Sequence, residues 1–172
     1  MVVSETPRLT LRRMDTRDTR FMVTLLNEPS FIRNIGDRGV RTTADAESYI
    51  TAGPLASYAR FGFGLYVVEL NTTGSPIGIC GLLKRDTLPD VDIGFAFLPD
   101  FWSQGYAIES ASAVKEHARQ DVGLRRLVAI VDPVNAASIR VLGKLGFTFE
   151  RMLRLADDEK ELKLFGCDLS RS

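Results

Sequence analysis

The stretch that most constrains this chain runs from Val91 to Ala118. From Val91 to Leu98, bulky and small residues alternate. Successive side chains of a strand leave opposite faces, so Val91, Ile93, Phe95 and Phe97 share one face, and Asp92, Gly94, Ala96 and Leu98 the other. The first set is a core face. The second opens with a carboxylate and is otherwise mostly small, and Gly94 and Ala96 leave room for something to lie against the backbone. The chain then turns through Pro99 to Ala107 into a predicted helix, Tyr106 to Gln120, with Ala107, Ser110 or Ala111, Val114 and Ala118 at helical spacing. A helix N-terminus exposes unpaired N–H groups and a partial positive charge. The small turn formed by Ser103, Gln104, Gly105 and Ala107 lets a phosphate approach those donors, although the same composition also serves a plain turn. No G-x-G-x-x-G follows a strand and no G-x-x-x-x-G-K-[ST] occurs, which argues against dinucleotide and nucleoside triphosphate sites.

The remaining pattern is that of alternating strands and helices. Leu9 and Leu11 alternate with polar neighbours and predict a first strand. Met14 to Asn27 predicts a helix, Asn27 to Gly39 a loop, and Thr42-Thr43-Ala44-Asp45 the start of a second helix ending before Gly62 to Gly64. Gly64 to Leu70 and Ile77 to Leu83 predict a hairpin around Asn71-Thr72-Thr73-Gly74-Ser75-Pro76, residues that tolerate tight backbone angles. Leu127 to Val131 predicts a strand and Ala136 to Lys144 a helix stopping at Gly146. Phe149 to Leu155 and Glu161 to Leu169 predict two strands around Asp157-Asp158-Glu159-Lys160. The expected class is α/β: a mixed sheet with helices on its faces, in the order β-α-α-β-β-β-α-β-α-β-β. No repeat or linker divides the sequence, so residues 1–172 read as one domain.

Composition removes several function classes. Lys plus Arg and Asp plus Glu number 22 each, so no net positive field favours nucleic acid. No window has the long uncharged apolar run of a membrane span, and Met1 to Arg13 lacks the apolar core of a secretory leader. Cys80 and Cys167 are the two cysteines; they are far apart, with no nearby histidine. That predicts neither a metal site nor a disulfide framework, and a reducing cytoplasm as the compartment.

Asp92-Ile93-Gly94-Phe95 through Trp102-Ser103-Gln104-Gly105-Tyr106-Ala107-Ile108-Glu109 resembles the acetyl-CoA signature Q/R-x-x-G-x-G/A of the GNAT superfamily. Gly105 and Ala107 match its last two anchors. Trp102 stands in the Q/R place, and an aromatic followed by Trp resembles the Rim-type branch, which includes ribosomal-protein N-terminal acetyltransferases. Asn135-Ala136-Ala137-Ser138 with Leu142-Gly143-Lys144-Leu145-Gly146-Phe147 is similar to that branch's N-x-x-S-x-x-x-L-x-K-x-G-F. Thr6-Pro7-Arg8-Leu9-Thr10-Leu11-Arg12 resembles its opening strand.

The resemblance implies a GNAT-like fold with a splayed central sheet and a transferase using acetyl-CoA as co-substrate, without metal. The pantetheine arm would lie in the splay, and the pyrophosphate on Ser103 to Ala107. Phe97 and Leu98, through a backbone N–H, together with Trp102, Ser103, Gln104, Gly105, Tyr106, Ala107, Asn135 and Ser138, make the implied cofactor set. The acceptor would be an amine, either a peptide N-terminus or a small molecule, and a homodimer is compatible with the resemblance. Asp92 stands where the family often has a glutamate base; acting as a base through water and being a structural strand carboxylate both remain open. Leu142 stands where many members have an acid tyrosine, which leaves Ser138, one helical turn earlier, as acid or as part of the helix start. Asn135 suits a helix cap and, by resemblance, a pantetheine contact. Glu109 suits the positive end of its helix. Substrate would enter beside Asn27 to Gly39, near Phe61 and Phe63, and beside Asp157-Asp158-Glu159. A GNAT fold that binds acyl-CoA without chemistry is the alternative.

Overall fold

The computed structural model describes residues 1–156 and 159–170, so Asp157 and Asp158 of the predicted acidic turn lie outside the described residues. Eight strands form one mixed sheet: β1 (Val2–Glu5), β2 (Leu9–Arg13), β3 (Leu65–Leu70), β4 (Pro76–Leu83), β5 (Asp92–Phe97), β6 (Arg126–Val131), β7 (Thr148–Leu153) and β8 (Leu162–Asp168). Their spatial order is β1-β2-β3-β4-β5-β6-β8-β7. Every neighbouring pair is antiparallel except β5 with β6. The helices are α1 (Thr19–Leu26), α2 (Pro29–Asn34), α3 (Thr43–Ile50), α4 (Ala56–Phe61), α5 (Tyr106–His117) and α6 (Ala136–Lys144).

The predicted order of elements is present, with two additions. β1 is a four-residue edge strand, too short to show a periodic pattern. The stretch Asn27 to Gly39, expected as a loop, holds the one-and-a-half-turn helix α2, with Pro29 in its first turn, where the missing N–H costs nothing. The expected second helix is α3 and α4 joined through a wider π-helical turn, Thr51–Leu55. Pro54 sits inside that turn; it cannot supply an intrahelical N–H, and the wider turn accommodates it. Thr42 caps α3 in a reciprocal box with Asp45.

Alternation along β5 sorts side chains into two cores. Val91, Ile93 and Phe97 join the cluster that includes Ala111, Val114 and Ala118 of the α5 segment and Leu142 and Leu145 of the α6 segment. Ala96 and Leu98 pack on the opposite face, against Met22, Leu25 and Leu26 of α1 and Ala46 and Ile50 of α3. A stack of small residues draws β3, β4 and β5 together. Gly81 of β4 pairs with Leu65 on one side and Gly94 on the other. A Cβ on Gly81 would lie 2.2 Å from the Gly64 carbonyl oxygen and 2.6 Å from Leu65 Cα, both backbone atoms that cannot swing aside. Gly81→Ala should therefore destabilise the fold by about 2–3 kcal/mol, the upper range for overpacking. Urea denaturation measures it; an unchanged midpoint would show that the strands can separate without loss.

Candidate active site

β5 and β6 are parallel but meet at a single register pair, Asp92 with Val128, where the Val128 N–H donates to the Val91 carbonyl at 3.0 Å. Beyond that point the strands diverge. The Leu98 N–H donates to Ile77 of β4 at 2.9 Å, so strand alternation turns the backbone groups of Phe95 and Phe97 the other way, into the gap. Of the two expected backbone donors, the structure aims Phe97 at the opening and commits Leu98 to the sheet.

The gap widens into a cavity of about 660 Å³. Its walls include Phe95, Ala96 and Phe97 of β5, the turn with Trp102, Ser103, Gly105, Tyr106 and Ala107, Asn135, Ser138, Arg140 and Lys144 of the α6 segment, and Leu25 to Ile35 around α2. Nearly all the cofactor residues expected from sequence thus converge on one wall; Leu98 and Gln104 stand just behind it. Gln104 holds the turn from behind, donating from Nε2 to the Asp100 carbonyl at 3.0 Å.

The turn has an unusual backbone. Ser103 (φ 61°) and Gly105 (φ 85°) are both left-handed, and Ser103 is the only non-glycine residue at positive φ among those described. Alternating hands make successive N–H groups converge into an anion-binding concavity. Gly105 is the N-cap of α5 and offers no side chain, so the first N–H groups of that helix have no side-chain cap. Holding a serine left-handed costs about 1–2 kcal/mol, and the surroundings enforce it. Arg8, in the β1–β2 connection, donates to the Gln104 carbonyl at 2.9 Å and to Glu109 at 2.7 Å, and lies 4.4 Å over the Tyr106 ring. Burial opposes the Glu109 charge, but hydrogen bonds from Thr6 and Arg8 more than offset it, and the carboxyl sits below its ordinary range. Sequence reading placed Glu109 as structural support but did not assign this clamp to Arg8; only the fold brings residues 8 and 109 together.

Trp102 is 48% exposed and lines the cavity, and its indole Nε1 donates to the Phe97 carbonyl at 2.8 Å. The peptide after Phe97 is thus pinned from both ends, by Trp102 and by Ile77. Asn135 caps α6, its Oδ1 accepting from the Ser138 N–H at 3.2 Å; its amide NH₂ stays available to the cavity. Ser138 also lines the cavity, whereas Leu142 is core.

Asp92 is placed differently from these residues. It is 1% exposed, is not on the cavity wall, and accepts from Arg85 Nε at 3.1 Å. Burial pushes its carboxyl up to about 6, with Arg85 pulling the other way. His117, in α5, faces Tyr66 and Asp121 in place of the cavity. Cys80 is a buried free thiol. No group of residues suited to a metal occurs among those described.

Comparison with known proteins agrees with this geometry. The acetyltransferase (GNAT) domain family matches residues 8–148. The protein YkkB of Bacillus subtilis is 28% identical over 152 residues, 87% of each chain. The crystal structure of an acetyltransferase from Agrobacterium tumefaciens has a TM-score of 0.82 at 24% identity, covering 97% of this chain and 94% of that one. RimL, a ribosomal L7/L12 α-N-protein acetyltransferase solved with coenzyme A, has a TM-score of 0.84 at 18% identity over 98% of both chains. At these identities the two structures establish the fold alone. With the family match spanning most of the sequence, from the Arg8 clamp past the helix that Asn135 caps, the chain belongs to the GNAT acetyltransferase family.

Proposed function

We propose that this protein transfers an acetyl group from acetyl-CoA to a primary amine, a peptide N-terminus or a small molecule, by direct attack in a ternary complex. The observation that carries the reading is one continuous cavity, running from the anion-binding turn, along the open backbone edge of β5, to the α2 wall. It offers two ends for two substrates and a line of peptide groups between them. The co-substrate supplies the activated acyl carbon. The turn 103–107 would take its pyrophosphate, and Phe95, Phe97 and Asn135 its amide arm. The Phe97 N–H, aimed into the gap, is the donor suited to the developing oxyanion.

The amine must lose a proton before attack. Asp92 is the proposed acceptor, and because it is off the cavity wall the proton would travel through water. Ser138 is the proposed donor to the leaving thiolate. The two cysteines, free and buried, support a reducing cytoplasm as the compartment. A non-catalytic acyl-CoA-binding module is the second reading, favoured by the buried Leu142 where many members have an acid tyrosine. A screen of N-terminal peptides and small amines, read by release of free CoA thiol, separates the two.

Acetyl-CoA should raise the thermal midpoint and change the fluorescence of Trp102, the single tryptophan of the chain. Gly105→Glu, which puts a carboxylate where phosphate would lie, should abolish both responses in a folded protein; a normal response would remove the turn from the site. Asn135→Ala should weaken acetyl-CoA binding by the equivalent of about 0.5–1.5 kcal/mol, and a mutant that loses only stability would leave Asn135 as a helix cap. Ser138→Ala should lower kcat while leaving acetyl-CoA affinity near normal; unchanged kcat would end its role as acid. Asp92→Asn should lower turnover and displace the acidic limb near pH 6 of the rate profile. Because folding raises this carboxyl, its contribution to stability is full at low pH and is lost as pH rises through about 6. The thermal midpoint of Asp92→Asn should therefore gain on the wild type between about pH 4 and 6 and run parallel to it above that. Wild-type turnover would remove Asp92 from the mechanism.

A further inference from the structure

The two ends of the cavity differ in chemistry. The turn and α6 contribute backbone N–H groups, Arg140 and Lys144. The other end is built from α1 and α2 and presents Leu25, Glu28, Phe31, Arg33 and Ile35. If the proposed reading holds, phosphate occupies the first end and the acceptor must enter at the second.

Glu28 is the only carboxylate among the described residues lining the cavity. It stands at the N-cap of α2 yet makes no side-chain cap bond. Among the described residues its carboxylate has no hydrogen-bond or ion-pair partner. The fully buried carboxylates among the described residues are all committed: Asp18 to Arg12, Asp92 to Arg85 and Asp132 to Lys160. A half-buried carboxylate on a cavity wall, with no cation partner among the described residues, suits a cationic ligand, because hydrogen bonds between charged groups are the stronger ones. Leu25 and Phe31 beside it are buried and Ile35 is exposed, so that wall offers an apolar surface next to the charge, alongside Ser30, Arg33 and Asn34.

Among the described lining residues, no second carboxylate is offered to a second positive charge on the acceptor. Arg33 lines the same wall, and its guanidinium makes no ion pair among the described residues. Lys160 reaches in from the β7–β8 connection, donating to Asp132 at 2.5 Å and to the Arg33 carbonyl at 3.4 Å. Arg33, unpaired among the described residues, repels a second cation from that end, whereas Asp132 offsets the charge of Lys160.

We propose that Glu28 binds the acceptor's ammonium group, and that the acceptors are amines carrying one positive charge on an apolar body. This rests on the proposed acetyl transfer. Glu28 holds the ammonium beside the thioester. One proton leaves the nitrogen through water to Asp92, the C–N bond forms as the C–S bond breaks, and a second nitrogen proton passes to the departing sulfur, which leaves as the CoA thiol.

The test is calorimetric titration of phenethylamine into protein saturated with CoA, with spermidine as the comparison. Wild type should bind phenethylamine more tightly than spermidine. Glu28→Gln should weaken phenethylamine about tenfold or more, the usual loss when a charge-assisted bond is removed, with CoA affinity unchanged; Glu28→Asp should recover part of it. The assignment is overturned by equal phenethylamine affinity in wild type and Glu28→Gln, by tighter binding of spermidine, or by no phenethylamine binding to the CoA-saturated protein. Failure to bind CoA in the first titration would instead defeat the proposed function, and this site with it.

Discussion

The structure depends on one unfinished strand pairing. Parallel strands β5 and β6 share a single register pair and then part. A sheet interior cannot leave peptide groups unpaired without penalty, since each buried one costs about 1–3 kcal/mol. The divergence is supported from both faces. α5 and α6 pack their apolar sides onto one, and α1 and α3 cover the other. The penalty is also reduced locally, as the Trp102 indole satisfies the Phe97 carbonyl. What remains exposed is the set of groups an extended amide ligand would pair with.

The electrostatic design is local. With equal numbers of acidic and basic residues, the molecule has no net charge to steer an anion, so attraction has to come from the turn 103–107 and the cations close to it. Arg8 serves there as scaffold, its charge offset by Glu109 and its hydrogen bonds spent on the turn's backbone. Arg140 and Lys144 sit on the same cavity wall. At the far end, Lys160 joins the β7–β8 hairpin to the end of β6 and to α2, tying together segments that flank the opening.

The sequence showed most of this where residue type and period agree. Alternation from 91 to 98 was legible because both faces of a central strand are buried by different partners, and Gly105 was legible because a left-handed cap before a helix favours glycine. Four things were not legible. α2 is too short for a periodic signal and sits among turn-forming residues. The contact of Arg8 with Glu109 spans about a hundred residues, and nothing local marks it. Asp92 could be placed on the correct face, but whether it lines a cavity or pairs with Arg85 depends on the conformation of the β4–β5 connection. The unpaired state of Glu28 is a fact about what fails to reach it, and only three dimensions show that.

A cleft whose central contacts are peptide groups has an evolutionary consequence. Phe95 presents its N–H and C=O, and Phe97 its N–H, to the gap whatever side chains they carry, and those side chains pack on the core beneath. Mutation can therefore rework the core under β5 and the wall of α2 almost independently of the shared cleft. On the proposed function, a lineage built on this plan can change what it modifies by drift in a few α2 residues while inheriting the donor side intact.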